Sequence, residues 1–126
     1  MRQIEGGINA AKGFQAAGVE AGVKYHNRRD MALVYSTAPC VAAGTFTTNV
    51  VKAAPVMWDM EVVDKSSFVQ AAVVNTGMAN SATGRQGMDC CRREAECAGR
   101  LLGIPADAVL IASTGVIGVQ LPEDRI

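Results

Sequence analysis

The apolar and polar positions divide the chain into short extended runs and one clear helix. Residues 14–19, Phe-Gln-Ala-Ala-Gly-Val, alternate weakly and read as a short strand. Residues 24–30, Lys-Tyr-His-Asn-Arg-Arg-Asp, are a polar connector with the character of a hairpin tip. Residues 31–36 are apolar at nearly every position, as in a strand buried on both faces. Pro39, which has no N–H to give, breaks that run. Residues 41–49 are rich in β-branched side chains and resume extended structure, close enough to pair with 31–36 as a hairpin. Residues 50–58 break at Pro55, and the charged stretch 59–67 reads as a short helix or a loop. The clearest buried strand is 68–75, and a long polar, glycine-bearing loop follows over 75–87. A helix is predicted over 87–102, because Met88, Cys91, Ala95, Ala98 and Leu102 recur at spacings of three and four. Gly103 stops it and Pro105 lies just beyond. The apolar run Val109-Leu110-Ile111-Ala112 is a further buried strand, expected to end at Ser113-Thr114-Gly115. Pro122 with two acidic residues behind it resembles the first turn of a helix. These elements make an α+β chain.

Composition narrows the partners. A length of 126 residues suits one domain or part of one. With 49% hydrophobic and 19% charged residues, a packed core is expected rather than disorder. Twelve basic residues balance twelve acidic ones, and aromatic content is 5%, so neither a nucleic acid nor a membrane is an expected partner. No apolar run approaches the length of a membrane span, and residues 1–7 lack the apolar centre of a secretory leader, so the expected compartment is the cytoplasm. Cys90 and Cys91 are adjacent, Cys97 falls on the same helix, Cys40 is remote, and His26 is the sole histidine. That set supplies no tetrahedral metal site, and reduced structural thiols are expected. No metal and no bound cofactor are expected.

Three places carry candidate chemistry. At Thr114-Gly115 a strand end can aim a hydroxyl and a backbone N–H at one point, and glycine lets the backbone approach a ligand closely. Two converging donors are what a tetrahedral oxyanion requires; the plain alternative is a turn. The 75–87 loop ahead of a helix could bind an anion through its N–H groups. No phosphate-loop or dinucleotide motif accompanies it, and Asn75 and Asn80 could instead satisfy the loop's own backbone. His26, Arg28 and Arg29 could hold an anion or simply form a solvated turn. Trp58 reads as packing rather than a platform for a ligand.

Several segments together resemble the ornithine acetyltransferases (glutamate N-acetyltransferases) of arginine biosynthesis. They are Lys12-Gly13-Phe14 with Ala17-Gly18-Val19; residues 42–49, Ala-Ala-Gly-Thr-Phe-Thr-Thr-Asn; Lys52-Ala53-Ala54-Pro55-Val56; Val73-Val74-Asn75-Thr76-Gly77 with Ala79-Asn80 and Thr83-Gly84; Leu102-Gly103-Ile104-Pro105; and residues 112–118, Ala-Ser-Thr-Gly-Val-Ile-Gly. Met78 departs from the family, which commonly carries Asn there. The resemblance implies stacked β-sheets with flanking helices, an N-terminal-nucleophile-like αββα architecture that this chain holds only in part. It implies a precursor that cuts itself before a threonine. That threonine takes acetyl from N-acetylornithine and passes it to glutamate by a ping-pong route. Thr114 and Gly115 then map onto the family's oxyanion hole.

It also implies a β chain of the same precursor as partner, an α2β2 heterotetramer, and acetyl-CoA as co-substrate if the enzyme is bifunctional. On this reading residues 1–126 are the N-terminal portion of the α chain. The nucleophile lies outside them, so alone they are inactive and leave apolar surface exposed. The competing expectations are a self-processing aminopeptidase-like hydrolase with the same oxyanion hole, and a non-enzymatic anion-binding module built on the 75–87 loop.

Overall fold

The computed structural model describes residues 3–126. Four strands form one sheet in chain order: β1 (Phe14–Val19), β2 (Met31–Cys40), β3 (Val69–Met78) and β4 (Val109–Val116). Helix α1 (Ala54–Lys65) joins β2 to β3, and α2 (Gly84–Leu102) joins β3 to β4. The first two pairings are antiparallel and β3–β4 is parallel. A parallel pair needs a crossover, and α2 supplies it. The class is α+β, as expected. One sheet with its helix layer corresponds to half of the layered architecture that the resemblance implies.

The period of two along β3 decides which face is covered. Val69, Ala71, Val73, Asn75 and Gly77 are buried, and the residues between them are half-exposed. Ala71 and Val73 pair with Val109 and Ile111, and pack with Ala54 of α1 and Cys91 and Ala95 of α2. Met31, Leu33, Tyr35, Met88, Ala98 and Leu102 close around this core. The α2 stripe read from its spacing is therefore the face that meets the sheet. Burying a branched side chain such as Ile111 contributes about 1.5–3 kcal/mol. On the opposite face the rows Ala16–Val34–Ala72–Leu110 and Gly18–Ala32–Val74–Ala112 carry small apolar residues, none of them buried. Ala16 and Ala112 are exposed and the other six are half-buried; the large apolar residues that stand exposed, Val41, Val50, Val51, Leu101 and Ile117 among them, lie off these rows.

Several boundaries differ from the sequence reading. Residues 41–49 form no strand, because both edges of β2 are already taken by β1 and β3. β2 instead runs on to Cys40, and Pro39 sits in the irregularity of register between Tyr35 and Cys40, where no ladder N–H is required. Pro55 opens α1 rather than breaking a strand: in the first helical turn its missing N–H costs nothing. Pro122 leads into a single 3-10 turn, Glu123–Arg125. β3 continues to Met78 and α2 starts at Gly84, so the expected long loop shrinks to residues 79–83. β4 passes through Ser113-Thr114-Gly115 to Val116, because β3 offers it a partner at each step.

The shortened loop is held by Asn80, which is 1% exposed. Its amide donates to the Gly87 carbonyl at 2.8 Å and to Cys91 Sγ at 3.2 Å, and its Oδ1 accepts from the Thr83 hydroxyl at 2.6 Å. Its backbone N–H donates to Ser113 Oγ of β4, and its carbonyl accepts from the first N–H of α1. Gly87 must be glycine for this packing, since a Cβ there would lie 2.4 Å from Asn80 Oδ1. Asn80→Leu keeps the volume but leaves the Thr83 hydroxyl without its acceptor and removes the side-chain bonds to the Gly87 carbonyl and Cys91 Sγ. A loss of about 2–4 kcal/mol is expected, read as a lower urea midpoint.

Candidate active site

The parallel pair β3–β4 sets Thr76 opposite Thr114 and Gly77 opposite Gly115. Thr114 and Thr76 lie on the sheet face away from the helices, with their hydroxyl oxygens 3.2 Å apart. Thr114 and Gly115 are both exposed.

The direction of the Gly115 N–H follows from ladder parity. The Val116 carbonyl accepts from Ala79 N–H, on the β3 side. On the other side, the Ile111 N–H donates to Asp59 Oδ1 at 2.9 Å and the Val109 carbonyl accepts from the Trp58 indole N–H at 2.9 Å. Gly115 shares the parity of Val109 and Ile111, so its N–H faces the free edge of β4 beyond the reach of α1. Gly115 has φ +132°, and a Cβ on it would lie 2.3 Å from the Gly77 carbonyl carbon. Only glycine lets the two strand ends approach this closely.

Neighbouring residues fix this corner. Asp59 and Trp58 clip the edge of β4 to α1; burial pushes the Asp59 carboxyl up to about 6, against the Ile111 N–H bond that favours its charge. Ser113 Oγ donates to the Met78 carbonyl, and Asn75 Nδ2 donates to the same oxygen. The β1–β2 connector wraps around Asp30, which is 2% exposed. Asp30 Oδ1 accepts from the N–H groups of Ala21 and Gly22 at 2.8 and 3.2 Å, and Oδ2 from Val23 at 2.7 Å. Burial alone would raise its carboxyl; the backbone N–H bonds outweigh that and hold it below the ordinary aspartate value. The Asp30 carbonyl accepts from the Thr76 N–H at 2.9 Å, joining this anchored turn to the site.

The other sequence candidates separate. His26, Arg28 and Arg29 are exposed, and Arg28 lies over the Tyr25 ring at 4.7 Å. Arg29 lines a shallow cleft of about 280 Å³ with Asp30, Thr76 and Thr114, while His26 and Arg28 do not. The 79–83 loop spends the side chains of Asn80 and Thr83 on its own structure, as in the structural alternative. Trp58 packs against the core and caps Val109, so it is a structural residue. Cys90 and Cys91 are buried and free. Burial, with Glu94 beside them, raises both thiols, Cys91 to about 12, which suits structural thiols and not nucleophiles. Glu94 is itself raised to about 6 by burial. Among the described residues no three His, Cys, Asp or Glu side chains gather as a metal site would need, and no helix is long and apolar enough to cross a membrane.

Thr76, Asp59 and Asp30 were not among the candidates read from sequence. A signal for Thr76 was present: Asn75-Thr76-Gly77 and Ser113-Thr114-Gly115 are the same polar-Thr-Gly step at the end of two apolar runs.

Fold and site define an α+β domain that presents a Thr-Gly donor pair at the open end of its only parallel strand pair among the described residues. The model of the ArgJ family matches residues 15–126, and the chain belongs to that family. It is 52% identical over 116 residues to the arginine biosynthesis bifunctional protein ArgJ of Thermotoga neapolitana, covering 91% of this chain and 29% of that protein. It is 48% identical over 123 residues to the same-named protein of Gloeobacter violaceus, covering 98% and 30%. The chain thus spans about three tenths of the length of these curated relatives.

Two crystal structures share its fold. The arginine biosynthesis bifunctional protein argJ of Bacillus halodurans superposes with a TM-score of 0.89 at 37% identity, over 95% of this chain and 62% of that one. The ornithine acetyltransferase of Mycobacterium tuberculosis, solved in complex with ornithine, superposes at 0.87 and 41%, over 92% and 63%.

Proposed function

We propose that this chain is the oxyanion-binding part of an acetyltransferase that moves acetyl from N-acetylornithine to glutamate in arginine biosynthesis. The observation that carries the reading is the Thr114-Gly115 pair. One hydroxyl and one outward N–H sit on consecutive exposed residues of the edge strand, which pairs in register with β3. Membership of the ArgJ family and the names of the relatives support the same reaction.

In the proposed cycle a threonine hydroxyl outside residues 1–126 attacks the acetyl carbonyl. Its proton passes to the base that activates it. The carbonyl π pair moves to oxygen, and Thr114 and Gly115 hold that charge. Collapse expels ornithine, whose amine takes the proton, and leaves an acetyl ester on the threonine. The glutamate amine attacks the ester through a second oxyanion in the same hole, and the threonine hydroxyl is regained. The cycle as written uses no metal or organic cofactor. The nucleophile comes from a β chain of the same precursor, assembled with this part as an α2β2 heterotetramer.

The test is made on the full-length gene product. Denaturing intact mass is expected to show a second chain that begins with threonine, and the purified protein to transfer labelled acetyl from N-acetylornithine to glutamate. Residues 1–126 expressed alone should transfer none. Release of acyl groups to water from peptide amides, without transfer to glutamate, would replace this reading with the aminopeptidase-like one. Anion binding by residues 1–126 with no activity in the full-length product would point to the binding module. Acetylation of glutamate from acetyl-CoA, assayed separately, would make the enzyme bifunctional.

A further inference from the structure

We propose that Thr76 is a positioning residue that aims the Thr114 hydroxyl proton into the oxyanion site. This rests on the oxyanion role proposed above for Thr114. Thr114 and Thr76 are register partners, and their hydroxyl oxygens are 3.2 Å apart on the open face of the sheet. A hydroxyl carries one proton and can accept through its lone pairs. Two arrangements of the pair follow. In one, Thr114 donates to Thr76 and has no proton left for a substrate. In the other, Thr76 donates to Thr114, which leaves the Thr114 O–H free to turn away from Thr76, toward the β4 edge that the Gly115 N–H faces. Only the second is competent to bind an oxyanion, and negative charge on the substrate favours it.

Thr76 is suited to hold that arrangement. Its hydroxyl has no other hydrogen-bond partner among the described residues; the bond here runs from Thr114 to Thr76, and rotating the two hydroxyls reverses it, giving the Thr76 proton to Thr114. Its backbone is fixed on both sides: the N–H donates to the carbonyl of the anchored Asp30, and the strand pairs with β4. Asp30 is in turn gripped by three N–H groups of the β1–β2 connector. That turn thus supports the site through the Thr76 backbone.

The experiment is a double-mutant cycle on the full-length enzyme, with kcat and KM measured for acetyl transfer. Thr76→Val, close in shape but without the donor, is expected to lower kcat about tenfold with KM unchanged, and Thr76→Ser to stay within about twofold of wild type. In the Thr114→Ala background Thr76→Val is expected to change kcat no further, because its route of action is gone. Should Thr76→Val fold poorly by its urea midpoint, Thr76→Ala runs the same cycle. The proposal is overturned if the Thr76 loss is equally large in both backgrounds, or if Thr76→Val is as active as wild type. If Thr114→Ala itself turns over normally, the oxyanion role falls and takes this proposal with it. The two failures are thus told apart.

Discussion

Thr114→Ala in the full-length enzyme is expected to lower kcat by about 10²–10³, the usual cost of one oxyanion donor, with little change in KM. The reason is where the charge appears. A ground-state carbonyl accepts a weak hydrogen bond, whereas the tetrahedral intermediate carries a full negative charge at the same oxygen. A fixed donor therefore stabilises the second far more than the first. In the proposed cycle both half-reactions pass through such an intermediate, so acetylation of the enzyme and deacetylation by glutamate should slow together in single-turnover measurements. Stability is expected to hold, since Thr114 is exposed and makes one side-chain hydrogen bond, to Thr76. Thr114→Ser, which keeps the hydroxyl, should retain most of the activity. Wild-type turnover by a folded Thr114→Ala enzyme would remove Thr114 from the mechanism.

Much of the fold was legible because single elements announce themselves. The stripe from Met88 to Leu102 needs only helical periodicity, and it does face the sheet. The apolar runs at 31–36, 68–75 and 109–112 are strands for the same local reason. The errors arise where a neighbour decides. Residues 41–49 have strand composition and no free edge to join. Pro39 and Pro55 read alike as breaks, yet one sits in an irregular ladder and the other opens a helix. Polar residues and glycine usually mark where strands stop, so 75–87 reads as a loop and 113–115 as a strand end. The polar ends of β3 and β4 are extended because each lies beside the other.

The site divides in the same way. Thr114 and Gly115 are consecutive, so their joint capacity as donors is visible in one line of sequence. Thr76 is 38 residues from Thr114, and its contact exists only in the register of a parallel pair. Asp59 is 52 residues from the Ile111 N–H that it accepts. Asp30 looked like the last charge of a solvated tip, but three N–H groups turn inward to it and bury it. The family resemblance rested on ordered short motifs along nearly the whole chain, and for that reason it outran what composition or periodicity could specify.

Gly115→Ala is expected to be more damaging than Thr114→Ala, in stability and in activity alike. Two costs add. An L residue at φ +132° is strained whatever the space around it, by about 1–3 kcal/mol. The added Cβ would also stand 2.3 Å from the Gly77 carbonyl carbon, 2.4 Å from its oxygen and 2.7 Å from the Met78 nitrogen. All three are backbone atoms of β3 and cannot swing aside as a side chain would. Relief requires the end of β4 to part from β3. That breaks the Thr76–Thr114 row and moves the Gly115 N–H itself.

A loss of about 3–5 kcal/mol is expected in urea unfolding, with acetyl transfer at least 10³-fold down in whatever protein remains folded. Gly118→Ala is the control. Gly118 also has positive φ, +80°, but a Cβ there meets nothing within 4 Å, so only the backbone strain of about 1–2 kcal/mol should appear. If Gly115→Ala costs no more than Gly118→Ala, the close approach of the two strand ends is not what holds the Gly115 N–H in place.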